Sequence, residues 1–144
     1  MHLVCPAGSL PALKAAVQQG ADAIYVGFRD DTNARHFAGL NLDEKQLDKG
    51  LQLIREKGRQ LYIAVNTYAQ PEGWNRWQRA VDQAADMGVD ALIAADPGVL
   101  GYASKRHPKL KLHLSVQGSA TNAAALGFYQ QRYGISRAVL PRVL

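Results

Sequence analysis

The sequence predicts an α/β protein, an incomplete (β/α)8 TIM-type barrel made of the first five βα units plus the sixth strand. Three observations carry this expectation. Short apolar runs rich in Val, Ile, Leu and Ala recur along the chain, as suits parallel strands covered on both faces. A glycine stands ahead of the later runs, in "GADAIYVG" (20–27), "GRQLYIAVN" (58–66), "GVDALIAAD" (88–96) and "GISRAVL" (134–140), where a left-handed residue can close the preceding helix. The chain closes on "SRAVLPRVL" (136–144), a strand and turn with no helix after it. A doubly wound open sheet also accepts this string, but such a domain usually ends on a covering helix, so the barrel is favoured. The expectation is therefore a fragment: residues 1–144 form the N-terminal part of a single barrel domain, whose C-terminal part is absent.

The elements follow in order. Strands are predicted near 2–5, 22–27, 60–66, 90–94, 111–116 and 137–140, with a helix after each of the first five. Ser9 is placed to cap "LPALKAAVQQ", in which Leu10, Leu13, Ala16 and Val17 share a face. Asp43 and Gln46 have capping-box spacing ahead of Leu47, Leu51 and Ile54. In "GWNRWQRAVDQAADMG" the apolar stripe is Trp74, Trp77, Val81, Ala84 and Ala85, with Arg76, Arg79 and Asp82 expected in water. Asp96-Pro97 reads as an N-cap followed by proline at the first helical position. Thr121 or Asn122 caps "AAALGFYQQRY".

Composition narrows the function classes. Apolar residues make up 47% and charged residues 20%, ordinary for a globular domain, and no apolar run is long enough to span a membrane. Cys5 is the only cysteine, which excludes an internal disulfide and a multi-cysteine metal site in this chain. The start has no basic segment ahead of a long apolar one, so the cytoplasm is the expected compartment. A net charge of +5 permits contact with phosphates without demanding it, because the basic residues are dispersed.

Ligands of barrels bind outside the carboxyl ends of the strands. The polar residues there include Ser9, Asn33, Arg35, His36, Asn66, Thr67, Asp96, Ser115, Gln117, Ser119, Asn122 and Arg142. The segment "FRDDTNARHFAGLN" (28–41) lacks helical periodicity and is longer than most βα connections, a length often associated with function. Arg35 within it can clamp a carboxylate or phosphate, or instead pair with Asp30 or Asp31. His36 is the histidine best placed for proton transfer, while His2, His107 and His113 are expected to be structural. The "PAGSL" turn lacks the spacing of a Walker loop or a G-x-G-x-x-G fingerprint, and no H-E-x-x-H or G-x-S-x-G occurs.

Taken together, "CPAGSLPALKAAVQQGADAIYVGF", "TNARHFAG", "AVNTYA", "GVDALIAAD", "HLSVQGSATN" and "RAVLPR" resemble the opening of the collagenase-like peptidase family of unassigned mechanism, over the whole chain. Within it, "DDTNARHFAGLN" and "RWQRAVDQAADMGVDALIAAD" look most like the UbiU-like group. That resemblance implies oxygen-independent hydroxylation in ubiquinone biosynthesis, with a ubiquinone precursor as substrate and a UbiV-like partner subunit. It also implies a [4Fe–4S] cluster in the full-length protein, on four cysteines beyond residue 144, and no cofactor or metal ligand in this chain. Hydroxylation of RNA, as by other members, and a non-catalytic binding module are the alternatives; proteolysis is not expected. The family's polar strand-end positions fall on Asn33, Arg35, Asn66, Gln117 and Arg142, which the resemblance makes substrate-binding candidates, with no catalytic residue assigned. Open first and last strands are expected to promote self-association.

Overall fold

The computed structural model describes residues 1–142. Six strands, β1 (Val4–Pro6), β2 (Ala23–Gly27), β3 (Gln60–Val65), β4 (Ala91–Ala94), β5 (Lys111–Leu114) and β6 (Arg137–Ala138), alternate with five helices. These are α1 (Leu10–Gln18), α2 (Glu44–Glu56), α3 (Trp74–Asp86), α4 (Pro97–Arg106) and α5 (Ala123–Tyr133). All strand pairs are parallel and the spatial order is β1-β2-β3-β4-β5-β6. A doubly wound sheet reverses direction at a switch point; this strictly sequential order does not, and it matches the curl of a barrel. The fold is an incomplete (β/α) barrel.

Side-chain alternation explains why one face carries the helices. Ile24, Val26, Leu61, Ile63, Val65, Leu92, Leu112 and Leu114 point outward into a core completed by Leu13, Leu47, Ile54, Trp77, Val81, Val99 and Leu100. The intervening residues point inward, where Ala23, Tyr62 and Ala91 pack with Val4, Tyr25 and Ile93. Strand register carries the inward row Gly27–Ala64–Ile93–His113–Arg137 across five strands.

The helix starts are capped as their sequences predict. Ser9 Oγ accepts from Ala12 N, Asp43 and Gln46 form a reciprocal capping box, Asp96 Oδ1 accepts from Val99 N, and Asn122, not Thr121, accepts from Ala125 N. Gly20, Gly58, Gly88 and Gly134 all have positive φ, so each helix-closing glycine occupies the conformation its position requires.

Three expectations change. The first strand is shifted to Val4–Pro6, and the sixth spans only Arg137–Ala138 before Pro141 ends the ladder. Asp82 is turned to water only in part: its side chain keeps 38% exposure, while His107 Nε2 lies 2.6 Å from Oδ1 and Tyr102 Oη donates to the same carboxylate at 2.9 Å. Burial pushes the Asp82 carboxyl up, but hydrogen bonds from His107 and Tyr102 outweigh it and hold the group below its ordinary range. His107 thereby fixes the end of α4 against α3.

Candidate functional site

The long β2–α2 connection is ordered by hydrogen bonds rather than by helix. Asn41 sits at φ +73°, a conformation asparagine tolerates better than most residues, and its side chain is buried. Its Oδ1 accepts from Asn33 Nδ2 (3.2 Å) and its Nδ2 donates to the Arg35 carbonyl (2.8 Å). Its backbone N–H donates to the Gly8 carbonyl and its own carbonyl accepts from Arg29, so one residue ties both ends of the loop to the barrel mouth. Asn33 lies directly over Gly27, where a Cβ would fall 1.9 Å from Asn33 Nδ2. Glycine at that strand end is therefore required by the asparagine above it.

This loop closes one side of a cavity of about 520 Å³ on the inner face, at the carboxyl ends of the strands. Asn33, Arg35, Asn66 and Gln117 all line it. Asn66 Oδ1 accepts from Ala34 N (3.0 Å), which positions the loop on β3. Gln117 sits in a 3-10 turn after β5, held by Ser115 Oγ accepting from its backbone N–H and by Tyr68 Oη donating to its carbonyl. The Gln117 side-chain amide has no partner among the described residues. Arg35 likewise makes no ion pair among them: Asp30 accepts from Thr32, and Asp31 pairs with Arg76. The alternative of an Asp30 or Asp31 partner for Arg35 is thus not what the structure has. Arg142 is exposed in the turn after β6 and is not part of the cavity wall. His36 is exposed, its Nδ1–H donating to the Asn33 carbonyl at 2.7 Å.

Sequence reasoning missed the floor of this cavity. Tyr25, Tyr62, His113 and Arg137 line it from the inward positions of β2, β3, β5 and β6. Tyr62 and His113 meet edge to face with centroids 4.8 Å apart, and the Arg137 guanidinium lies 5.9 Å from the Tyr62 ring and 3.4 Å from its hydroxyl. Tyr62 in turn donates to Gln60 at 2.7 Å. Burial, reinforced by the charges of Arg137 and Lys111, pushes the His113 imidazole down to about 4. The available signal was the period-two alternation, which puts these residues on the same face as Ala64 and Ile93. His113 is buried within β5 and also faces the cavity.

No Asp or Glu lines the cavity, and no cluster of three or more His, Cys, Asp or Glu capable of holding a metal ion occurs among the described residues. The arrangement places four amides, of Asn33, Asn41, Asn66 and Gln117, and the guanidinium groups of Arg35 and Arg137 around an aromatic and apolar floor. It can hold and orient a ring with polar substituents, and no hydrogen bond joins a hydroxyl to an imidazole in it among the described residues.

An incomplete (β/α) barrel with a polar-rimmed cavity at its strand ends is the class these features define. The sequence profile of peptidase family U32 matches residues 8–144, and the chain belongs to that family. It is 32% identical over 143 residues to tRNA hydroxylation protein P of Escherichia coli, covering 99% of this chain and 31% of that protein. To the collagenase of Porphyromonas gingivalis it is 33% identical over 130 residues, covering 90% of this chain and 31% of that protein. The chain thus spans about a third of the length of these relatives. Among solved structures, the U32 peptidase Mk0906 superposes with a TM-score of 0.78 at 14% identity, over 97% of this chain and 58% of that one. An Oleispira antarctica phosphodiesterase superposes at 0.63 and 14% identity, over 96% and 74%, and shares the fold alone.

Proposed function

We propose that this chain supplies the ring-binding half of a hydroxylation site in a UbiU-like protein of oxygen-independent ubiquinone biosynthesis, working with a UbiV-like partner. The observation that carries the reading is the cavity itself: Tyr25, Tyr62 and Ile93 give a flat apolar floor, and Asn66, Gln117 and Arg35 give a polar rim. Such a site suits the substituted aromatic ring of a quinone precursor. The "DDTNARHFAGLN" loop that carries the resemblance to the UbiU-like group is the loop that builds the rim.

A [4Fe–4S] cluster belongs to this proposal for the full-length protein only. Cluster ligation needs several thiolates, and Cys5, packed against the outward core, is the single thiol here. The residues present do not fit the group, and on this proposal its ligands would come from outside residues 1–144.

A second reading is hydroxylation of tRNA, favoured by the name of the Escherichia coli relative and tolerated by the charge of +5. Deleting the gene and measuring anaerobic quinones and modified tRNA nucleosides by mass spectrometry separates the two. Loss of ubiquinone with intact tRNA supports the first, and the reverse supports the second. Complementation with Arg35→Ala in the full-length gene is expected to fail while the protein accumulates normally; full complementation removes Arg35 from the site.

A further inference from the structure

We propose that His113 and Arg137 together recognise a phenolic hydroxyl on the ring held in the cavity, which makes His113 a specificity-determining residue of the site. The inference rests on the ring-binding reading above and names the atom that site would select. The His113 side chain is buried at 5% exposure, lines the cavity and makes no hydrogen bond among the described residues. Its ring nitrogens are not sealed from the cavity, so a molecule entering there can bond the ring in place of water. Its neighbours decide what. Tyr62 fixes the imidazole plane by its edge-to-face contact, and Arg137, register partner of His113 on the adjacent strand, spends one N–H on Tyr62 and keeps others for a ligand.

With Arg137 and Lys111 nearby, the imidazole stays neutral near pH 7 and therefore offers one acceptor nitrogen. Arg137 offers only donors. A hydroxyl satisfies both, donating to His113 while accepting from Arg137. A carbonyl oxygen could engage His113 only through the tautomer that presents N–H, whereas a hydroxyl can pair with either, and an ammonium would be repelled by the guanidinium.

The test uses the full-length protein, with phenol as probe and toluene as its hydroxyl-free counterpart. Wild type is expected to bind phenol roughly five- to tenfold more tightly than toluene, the worth of about one net hydrogen bond. His113→Phe, which keeps the ring volume, should abolish that preference, and His113→Gln, which keeps an acceptor, should retain part of it. Phenol should also shift the His113 ring-nitrogen resonances in ¹⁵N-histidine spectra of the wild type, a readout independent of whether either variant folds. An unchanged preference in His113→Phe, or an unmoved resonance with phenol bound, overturns the inference. Ring hydroxylation by the full-length protein is scored separately, so a His113→Phe protein with intact phenol preference and lost hydroxylation would remove this assignment and leave the ring-binding reading standing.

Discussion

Gly27 and Asn41 show how single residues set the shape of the candidate site. Any side chain on Gly27 collides with Asn33, whose amide is already committed to Asn41 and to the Arg35 N–H. Gly27→Ala is therefore expected to expel Asn33 and cost about 2–3 kcal/mol in chemical denaturation, the range for overpacking combined with broken buried hydrogen bonds. Asn41→Gly keeps the positive φ and removes only the side-chain bonds, so it should cost about 1–3 kcal/mol, with Asn41→Ala worse by about 1 kcal/mol of backbone strain. His113 gives a pH prediction with a definite sign. Its folded pKa, near 4, lies below the ordinary 6.5 because of burial and the Arg137 and Lys111 charges, while Tyr62 faces it from β3. Between those values the unfolded chain binds a proton that the folded chain does not. Stability is thus expected to fall as pH drops from about 6.5 to 4, by about 3 kcal/mol at most, with no further loss from this group below 4. His113→Gln should flatten that part of the curve; identical pH slopes in wild type and variant would show that His113 is not the titrating group. Asn33 and Arg35 were legible as candidates from their place in a long polar loop. Asn41 was not, because its role comes from contacts to residues 33, 35, 29 and 8 that only the folded loop brings together.

At the scale of elements, the capping residues also act as joints. Asp96 caps α4 through Oδ1 and with Oδ2 accepts from Ala69 N, in the segment that leads into α3. Asp96→Ala should lose both, costing about 1–2 kcal/mol, whereas Asp96→Ser should recover the cap alone. Hydrogen exchange at Ala69 and Val99 separates the two contributions. Asp90 is a similar joint, accepting from Leu61 N on β3 and from Arg55 on α2. Helix starts and glycine ends could be read in the sequence because caps and left-handed closures depend on neighbours within a few positions. The Asp82–Tyr102–His107 network could not, since "RWQRAVDQAAD" alone leaves Asp82 on the polar side of its helix. Only the packing of α4 against α3 brings His107 within 2.6 Å of that partly exposed carboxylate. The cavity floor escaped for a related reason: in strands covered on both faces, apolar runs hide which alternate residues face the barrel axis.

For the whole molecule, the decisive fact is that the inward face of the sheet has strands only on one side. Tyr25 and Ile93 are partly exposed there, and Val139, Leu3 and Leu140 expose 47%, 51% and 50% of their surface near the sheet edges. Among the described residues β1 and β6 each pair on one side only, leaving backbone donors and acceptors of the kind that recruit further strands. Their shortness, three and two residues, limits the recruitment to weak pairing. Apolar surface and free edges together should drive residues 1–144, expressed alone, into concentration-dependent oligomers measurable by sedimentation velocity. Relatives about three times as long carry the same segment within a larger chain. Extending residues 1–144 with the part of the Escherichia coli relative that this chain does not cover should therefore suppress association and raise the unfolding midpoint, because added strands would cover β6 and the inner face. A monodisperse monomer of residues 1–144, unchanged in stability by the extension, would show that the open edges are not sticky. The cavity floor of Tyr62, His113 and Arg137 would then be a finished surface rather than half of one.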